Sequence, residues 1–373
     1  MSSGTASVAD ARADARIERD IQEIARAVER ELGAGLTALL LVGGYARGEG
    51  GLVERDGELG PYNDYDLVAV VRGDARSFAT GLARVAQAQT IARGVEVDLW
   101  PLAERDVGRV PRTLFWLDVG RGAVRVVAGD LGVLDRLARH SPREIPIEEV
   151  GRLLANRAVG LALTNLEPEP DRDLRRARHG HKAVLACGDA RLLAAHRYPA
   201  TVAARLSELE GLASAPGVGA ALASAYGDAK RFRERPDLWR PTGETVSEWY
   251  ERTLGRVQEW HLAFESWRVG APRAPLAAAQ WSGRFYPELP DVRPGGAAVS
   301  ALRAALRLGE RMPLLPWVGH PRERLARVAI ALAYAPHDPG VRGVAARLLG
   351  HRRAPHTDHA LHARLGALAR LGG

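Results

Sequence analysis

Strand-like apolar runs are concentrated in the first part of this 373-residue chain and scarce after it, and that distribution limits the fold more than any other feature. Leu36–Val42, Asp64–Val71 and Gly94–Trp100 each read as a strand, and VRVVAGD at 124–130 reads as a fourth running into a turn. Helical patterns lie between and before them. Ile17, Ile21, Ile24, Val28 and Leu32 recur at helical spacing and predict an amphipathic helix over about residues 10–33, closed by Gly33. Residues 75–92 repeat the pattern. From Pro146 onward helical periodicity dominates, over 147–166, 176–195, 200–212, 216–234 and 243–268. The expected class is therefore α+β: a small mixed sheet with flanking helices over 1–140, then a mainly helical domain over 146–268. Residues 269–298 carry Pro272, Pro275, Pro287, Pro290 and Pro294 and read as a linker, and 299–373 as a C-terminal helical segment.

Composition removes several classes. No apolar stretch reaches the roughly 18–20 residues that would span a bilayer, and the N-terminal residues lack the apolar core of a signal peptide. No membrane partner is expected, and a cytoplasmic location is. Cys187 stands alone, so an intrachain disulfide and a cysteine zinc site are out, and a buried small side chain is its expected role. The net charge of +7 comes almost wholly from arginine, the only lysines being Lys182 and Lys230. Arginines on solvated helix faces beside Asp and Glu account for that charge, and no basic–aromatic alternation offers a stacking platform. Trp100, Trp116, Trp249, Trp260 and Trp267 are expected to pack in the core or between domains rather than to stack on bases.

The chemistry concentrates in residues 42–66, VGGYARGEGGLVERDGELGPYNDYD. Gly43 and Gly44 end an apolar run and lack Cβ atoms, so backbone there can approach a phosphate closely. A helix starting after them would aim free N–H groups at that anion. Arg47 lies within one turn and would reach phosphate oxygens or pair with an acid. Asp64 and Asp66, at i and i+2 of a strand, point to one face. Asp98, in VEVDLW, is the third carboxylate, and Glu96 a weaker candidate. Crowded carboxylates repel unless cations neutralise them, which is how a divalent-metal site is built. Magnesium fits, because it takes oxygen ligands and shares them with substrate phosphates.

Gly-Gly-x-x-Arg-Gly, then Asp-x-Asp, then a single Asp on a later strand resembles the nucleotidyltransferase superfamily related to DNA polymerase β, especially its minimal and antibiotic-modifying members. The resemblance covers about residues 35–130. It implies a magnesium-dependent enzyme, with two Mg²⁺ ions, that moves a nucleoside monophosphate, AMP by expectation, from a nucleoside triphosphate to a hydroxyl and releases pyrophosphate. It carries over Gly43 and Gly44 as the phosphate turn, Asp64 and Asp66 as metal ligands, and Asp98 as the third ligand or general base. The acceptor it implies is a small molecule or a protein; a nucleic-acid end ranks third. In two-domain relatives the helical domain supplies a lysine to the triphosphate, and Lys182, with Arg178 and Tyr198 as companions, is the match here. One departure stands out. Gly44 and Asp64 are 20 positions apart, longer than the family's short gap, and residues 52–63 read as a polar loop near the site. If that loop blocked the acceptor, the alternative would be a non-catalytic nucleotide-binding or antitoxin-like interaction protein of the same fold.

Other candidates have plainer readings. Lys230 and its neighbours Arg231, Arg233 and Arg235 read as a solvated basic face. His179 and His181 lack an evident third metal ligand nearby, and Glu148 and Glu149 suit a helix start.

Overall fold

A computed structural model describes residues 8–167, 172–212, 219–270, 272, 321–349 and 358–372. The expected linker over 269–298 lies, apart from residues 269, 270 and 272, outside the described residues, as do 299–320 and 350–357. The fold is α+β. The chain separates into two compact units, the first comprising Met1–Ile145, Tyr198–Ser207 and Lys230–Trp239, the second Pro146–Arg197, Glu208–Ala229 and Arg240–Gly373. Two segments of the first unit thus come from beyond residue 146, inside the span read as a helical domain.

The first unit is built on four strands: β1 (Leu36–Val42), β4 (Tyr65–Val71), β5 (Val97–Ala103) and β6 (Val124–Gly129), with a separate hairpin of β2 (Leu52–Arg55) and β3 (Glu58–Pro61). The sheet order is β5-β4-β1-β6, with β4 and β5 parallel and β1 antiparallel to both its neighbours. β1 coincides with its predicted run. β5 begins three residues later than expected and runs through Pro101. Gly94, at φ +63°, instead caps helix α3 (Ala75–Arg93), and proline is tolerated because β5 is an edge strand.

Alternation along the strands sends side chains to two cores. Leu39, Leu41, Tyr65, Leu67 and Leu99 pack with Ile21, Ile24 and Val28 of helix α1 (Val8–Leu32) and with Leu82 of α3. The predicted apolar stripe of α1 is thus its buried face. Ala38, Leu40, Val42, Val68 and Val70 face the other way, against Val107, Val110, Val119 of helix α4 (Leu114–Gly120) and Val133 of helix α5 (Val133–Arg136).

The residues expected to form a polar loop at 52–63 form the β2–β3 hairpin instead. Asp56 and Gly57 make its two-residue turn, both at positive φ, 53° and 79°. That geometry follows the right-handed twist of the strands, and Asp-Gly is among the pairs that adopt it most readily. β3 packs against α1, where Gly60 leaves room for the Arg16 guanidinium. The insertion is thereby carried towards the helix covering the sheet face opposite Asp66 and Asp98.

The second unit is helical among its described residues. It contains α6 (Ile147–Leu166), α7 (Arg172–Ala194), α10 (Val246–Val269), α11 (Pro321–Tyr334), α12 (Pro339–Leu348) and α13 (Asp358–Gly372). Helices α8 (Val202–Leu212) and α9 (Gly219–Glu234) give residues to both units. Buried Asn165 donates to the carbonyls of Leu332 and Ala333 and accepts from the Tyr250 hydroxyl at 2.8 Å, tying α6, α10 and α11 together. No helix among the described residues is long and apolar enough to cross a membrane.

Candidate active site

Asp64 and Asp66 flank the start of β4, and Asp98 sits near the start of β5, opposite Asp66 in the parallel register. In-register residues on neighbouring strands share a face, so the three carboxylates converge where β1 ends and β4 and β5 begin. One oxygen from each lies within 4.8 Å of the others, and all three residues are half-buried. Among the described residues this is the only group of three or more His, Cys, Asp or Glu side chains gathered so closely. Oxygens about 2.1 Å from one magnesium ion stand up to about 4.2 Å apart across it. Oxygens within 4.8 Å of one another are thus close enough to share one ion, or to bridge two.

The glycine turn is built around this cluster. Gly43 has φ +73°, and a Cβ there would stand 2.5 Å from Asp66 Oδ2. Glycine is required twice at this position, by the left-handed backbone and by the carboxylate pressed against it. Helix α2 (Gly43–Ala46) is a single turn that begins at the glycines themselves. A helix macrodipole is therefore small here, and what the turn offers an anion is its leading N–H groups. Tyr45 staples the turn in place. Its hydroxyl donates to Gly51 O at 3.1 Å and accepts from Asn63 N–H, while its ring lies 5.0 Å from that of Tyr65. Asn63 Oδ1 accepts from Gly51 N–H at 2.6 Å, closing the neck of the hairpin immediately before Asp64. Burial pushes the phenols of Tyr45 and Tyr65 upward, so both remain neutral hydrogen-bonding groups.

Arg47 takes the second of its two expected roles. It pairs with Glu49 at 2.9 Å and with Asp118 at 3.6 Å, and is almost buried. Glu49 in turn meets Arg233 at 3.5 Å and accepts from Val202 N–H. Asp118 accepts from Arg205 at 2.7 Å, and the Arg205 guanidinium lies 3.9 Å over the Tyr198 ring. Arg233 is therefore part of an ion-pair network rather than of a solvated basic face. Its Nη2 would be 3.0 Å from a Cβ on Gly44, so a cation stands over the glycine turn. The sequence offered no signal for Arg205 or Arg233, because the contacts join positions more than 80 residues apart. Asp118 was equally silent, as one acid in an apolar stretch. Lys230, by contrast, makes an exposed i,i+4 pair with Glu234.

Lys182, Arg178 and the His179–His181 pair lie on α7 in the second unit. The His179 imidazole is pushed down to about 3 by burial and by the cations of Lys182 and Arg178, and burial alone takes His181 to about 3. Cys187 is buried, as expected, and burial pushes its thiol up. No protein-family model matches the chain, and no curated protein matches it at a significant level.

Proposed function

We propose that this protein is a magnesium-dependent nucleotidyltransferase that moves a nucleoside monophosphate, AMP foremost, from a nucleoside triphosphate to a hydroxyl of a small-molecule or protein acceptor. The observation that carries this reading is the Asp64–Asp66–Asp98 cluster abutting a glycine turn. A divalent ion held by these carboxylates would neutralise charge on the triphosphate. The N–H groups of the Gly43–Gly44 turn take phosphate oxygens, with the Arg233 guanidinium above Gly44. Asp98 accepts the proton of the acceptor hydroxyl. The acceptor oxygen then bonds to the α-phosphorus, the bond from that phosphorus to the bridging oxygen breaks, and pyrophosphate leaves. The hairpin at 52–61 packs against α1, which covers the sheet face opposite Asp66 and Asp98, and this favours the catalytic reading over the non-catalytic alternative.

The test is transfer of label from α-labelled ATP, GTP, CTP or UTP, with Mg²⁺, into a cell lysate. Transfer is expected to fall at least about 10³-fold in Asp64→Ala/Asp66→Ala, since a metal site supplies several kcal/mol. Transfer that survives the double substitution contradicts the assignment.

A further inference from the structure

Two aromatic rings stand beside Asp98. Trp100 follows it by two residues on β5, so its side chain is on the same face, about 6.6 Å along the strand. β5 is an edge strand, and Trp100 is 41% exposed. Phe115, 38% exposed at the start of α4, meets it edge-to-face, with centroids 5.8 Å apart and planes at 76°. Trp116 anchors this corner. Its ring contacts Phe115 at 4.9 Å and packs against the core under the sheet, and its backbone N–H donates to the Thr113 hydroxyl that caps α4. Trp116 is half-buried against the core, so Trp100 and Phe115 are the rings of this corner that solvent and a ligand can reach.

We propose that Trp100 and Phe115 form the acceptor's ring subsite, and that the acceptor is a small hydroxyl compound bearing a planar ring. The proposal rests on the nucleotidyl-transfer reading of the adjacent carboxylates. Position across the sheet separates acceptor from nucleotide. Val42 pairs with Asp66 and Asp66 with Asp98, so the glycine turn, Asp66 and Asp98 succeed one another at about 4.8 Å per strand. With the triphosphate on the glycine side, the attacking hydroxyl enters on the Asp98 side, where the rings are. Their near-perpendicular planes offer one face and one edge, the two contacts a third flat ring prefers. The extent of the surface favours a small compound. The two rings together expose on the order of 200 Å², against about 800 Å² per partner at a stable protein–protein interface.

The probe is 4-hydroxybenzyl alcohol, with glycerol as a ring-free control, titrated by saturation-transfer NMR with Mg²⁺ and a non-hydrolysable ATP analogue present. Saturable binding of the ring compound alone is expected. Its Kd should weaken about tenfold in Trp100→Ala and largely recover in Trp100→Phe. Thermal unfolding checks that Trp100→Ala is folded, and Phe115→Ala, expected to weaken binding likewise, is the second variant. Equal affinity in wild type and both alanine variants, glycerol binding as tightly, or no saturable binding of the ring compound overturns the subsite. Label transfer from ATP is followed in parallel. Transfer with an unaltered ring affinity rejects the subsite alone, and ring binding without transfer to any acceptor rejects the nucleotidyl-transfer reading alone.

Discussion

The two units treat charge in opposite ways. In the first, carboxylates are gathered half-exposed at a sheet end, and arginines are locked into pairs around them: Arg47 with Glu49 and Asp118, Arg205 with Asp118, Arg233 with Glu49. In the second, the imidazoles of His179, His181 and His261 are buried and held neutral. His261 Nδ1 lies 2.7 Å from the Tyr334 hydroxyl, burial takes that imidazole down to about 3, and it raises the carboxyl of Glu265 despite Arg268 beside it. Buried Asn165 shows what a helical core asks of a neutral polar group, since its side-chain hydrogen bonds are made to neighbouring helices. Carboxylates gathered at a sheet end repel one another, and a cation shared between them relieves that cost.

The largest test of that contrast is acid. His181 and His261 titrate near 3 when folded against an ordinary 6.5. Below 6.5 the unfolded chain takes up protons that the folded chain refuses, so stability is full above that pH and is lost as pH falls towards 3. Each contributes about 1.4 kcal/mol per pH unit inside the window, or about 5 kcal/mol for the two between pH 7 and 4.5. Hydrogen exchange of α7 and α10 should accelerate over this range; flat protection would break the comparison from the second unit's side. Next comes Arg205→Ala. This side chain is 4% exposed, and its loss leaves Asp118 short of its closer partner. Breaking such a pair costs about 3 kcal/mol, read as a lowered urea midpoint. A variant as stable as wild type would mean that the network does not hold Tyr198–Ser207 in the first unit. Gly43→Ala has the smallest expected effect on stability, about 1–2 kcal/mol for a left-handed residue. Its added Cβ displaces Asp66, so Mn²⁺ affinity measured by electron paramagnetic resonance should fall about tenfold or more. Unchanged affinity would detach the glycine turn from the metal site.

Legibility in the sequence follows the range of the interaction. β1, the buried stripe of α1 and the face shared by Asp64 and Asp66 are local consequences of periodicity, and all were readable. Asp98 needed one inference more, that its strand lies beside β4. The hairpin was written in its Asp-Gly pair at 56–57, yet the polarity of the segment suggested a loop. The extent of β5 was hidden because Pro101 ends a strand unless that strand is an edge, and edges are settled only by the whole sheet. Arg205 and Arg233 were illegible for a similar reason. Their partners Asp118 and Glu49 lie 87 and 184 positions away in the chain. Trp100 looked like core until its place on an open edge was known.

If Asp64, Asp66 and Asp98 hold a divalent cation together, the unfolding temperature of the protein will report it. A ligand bound only by the folded state raises the midpoint by mass action. Titrating Mg²⁺ should raise the unfolding temperature of the wild type saturably and leave that of Asp66→Asn where it stood. Equal responses of the two proteins to Mg²⁺, or no response in the wild type, would contradict the account.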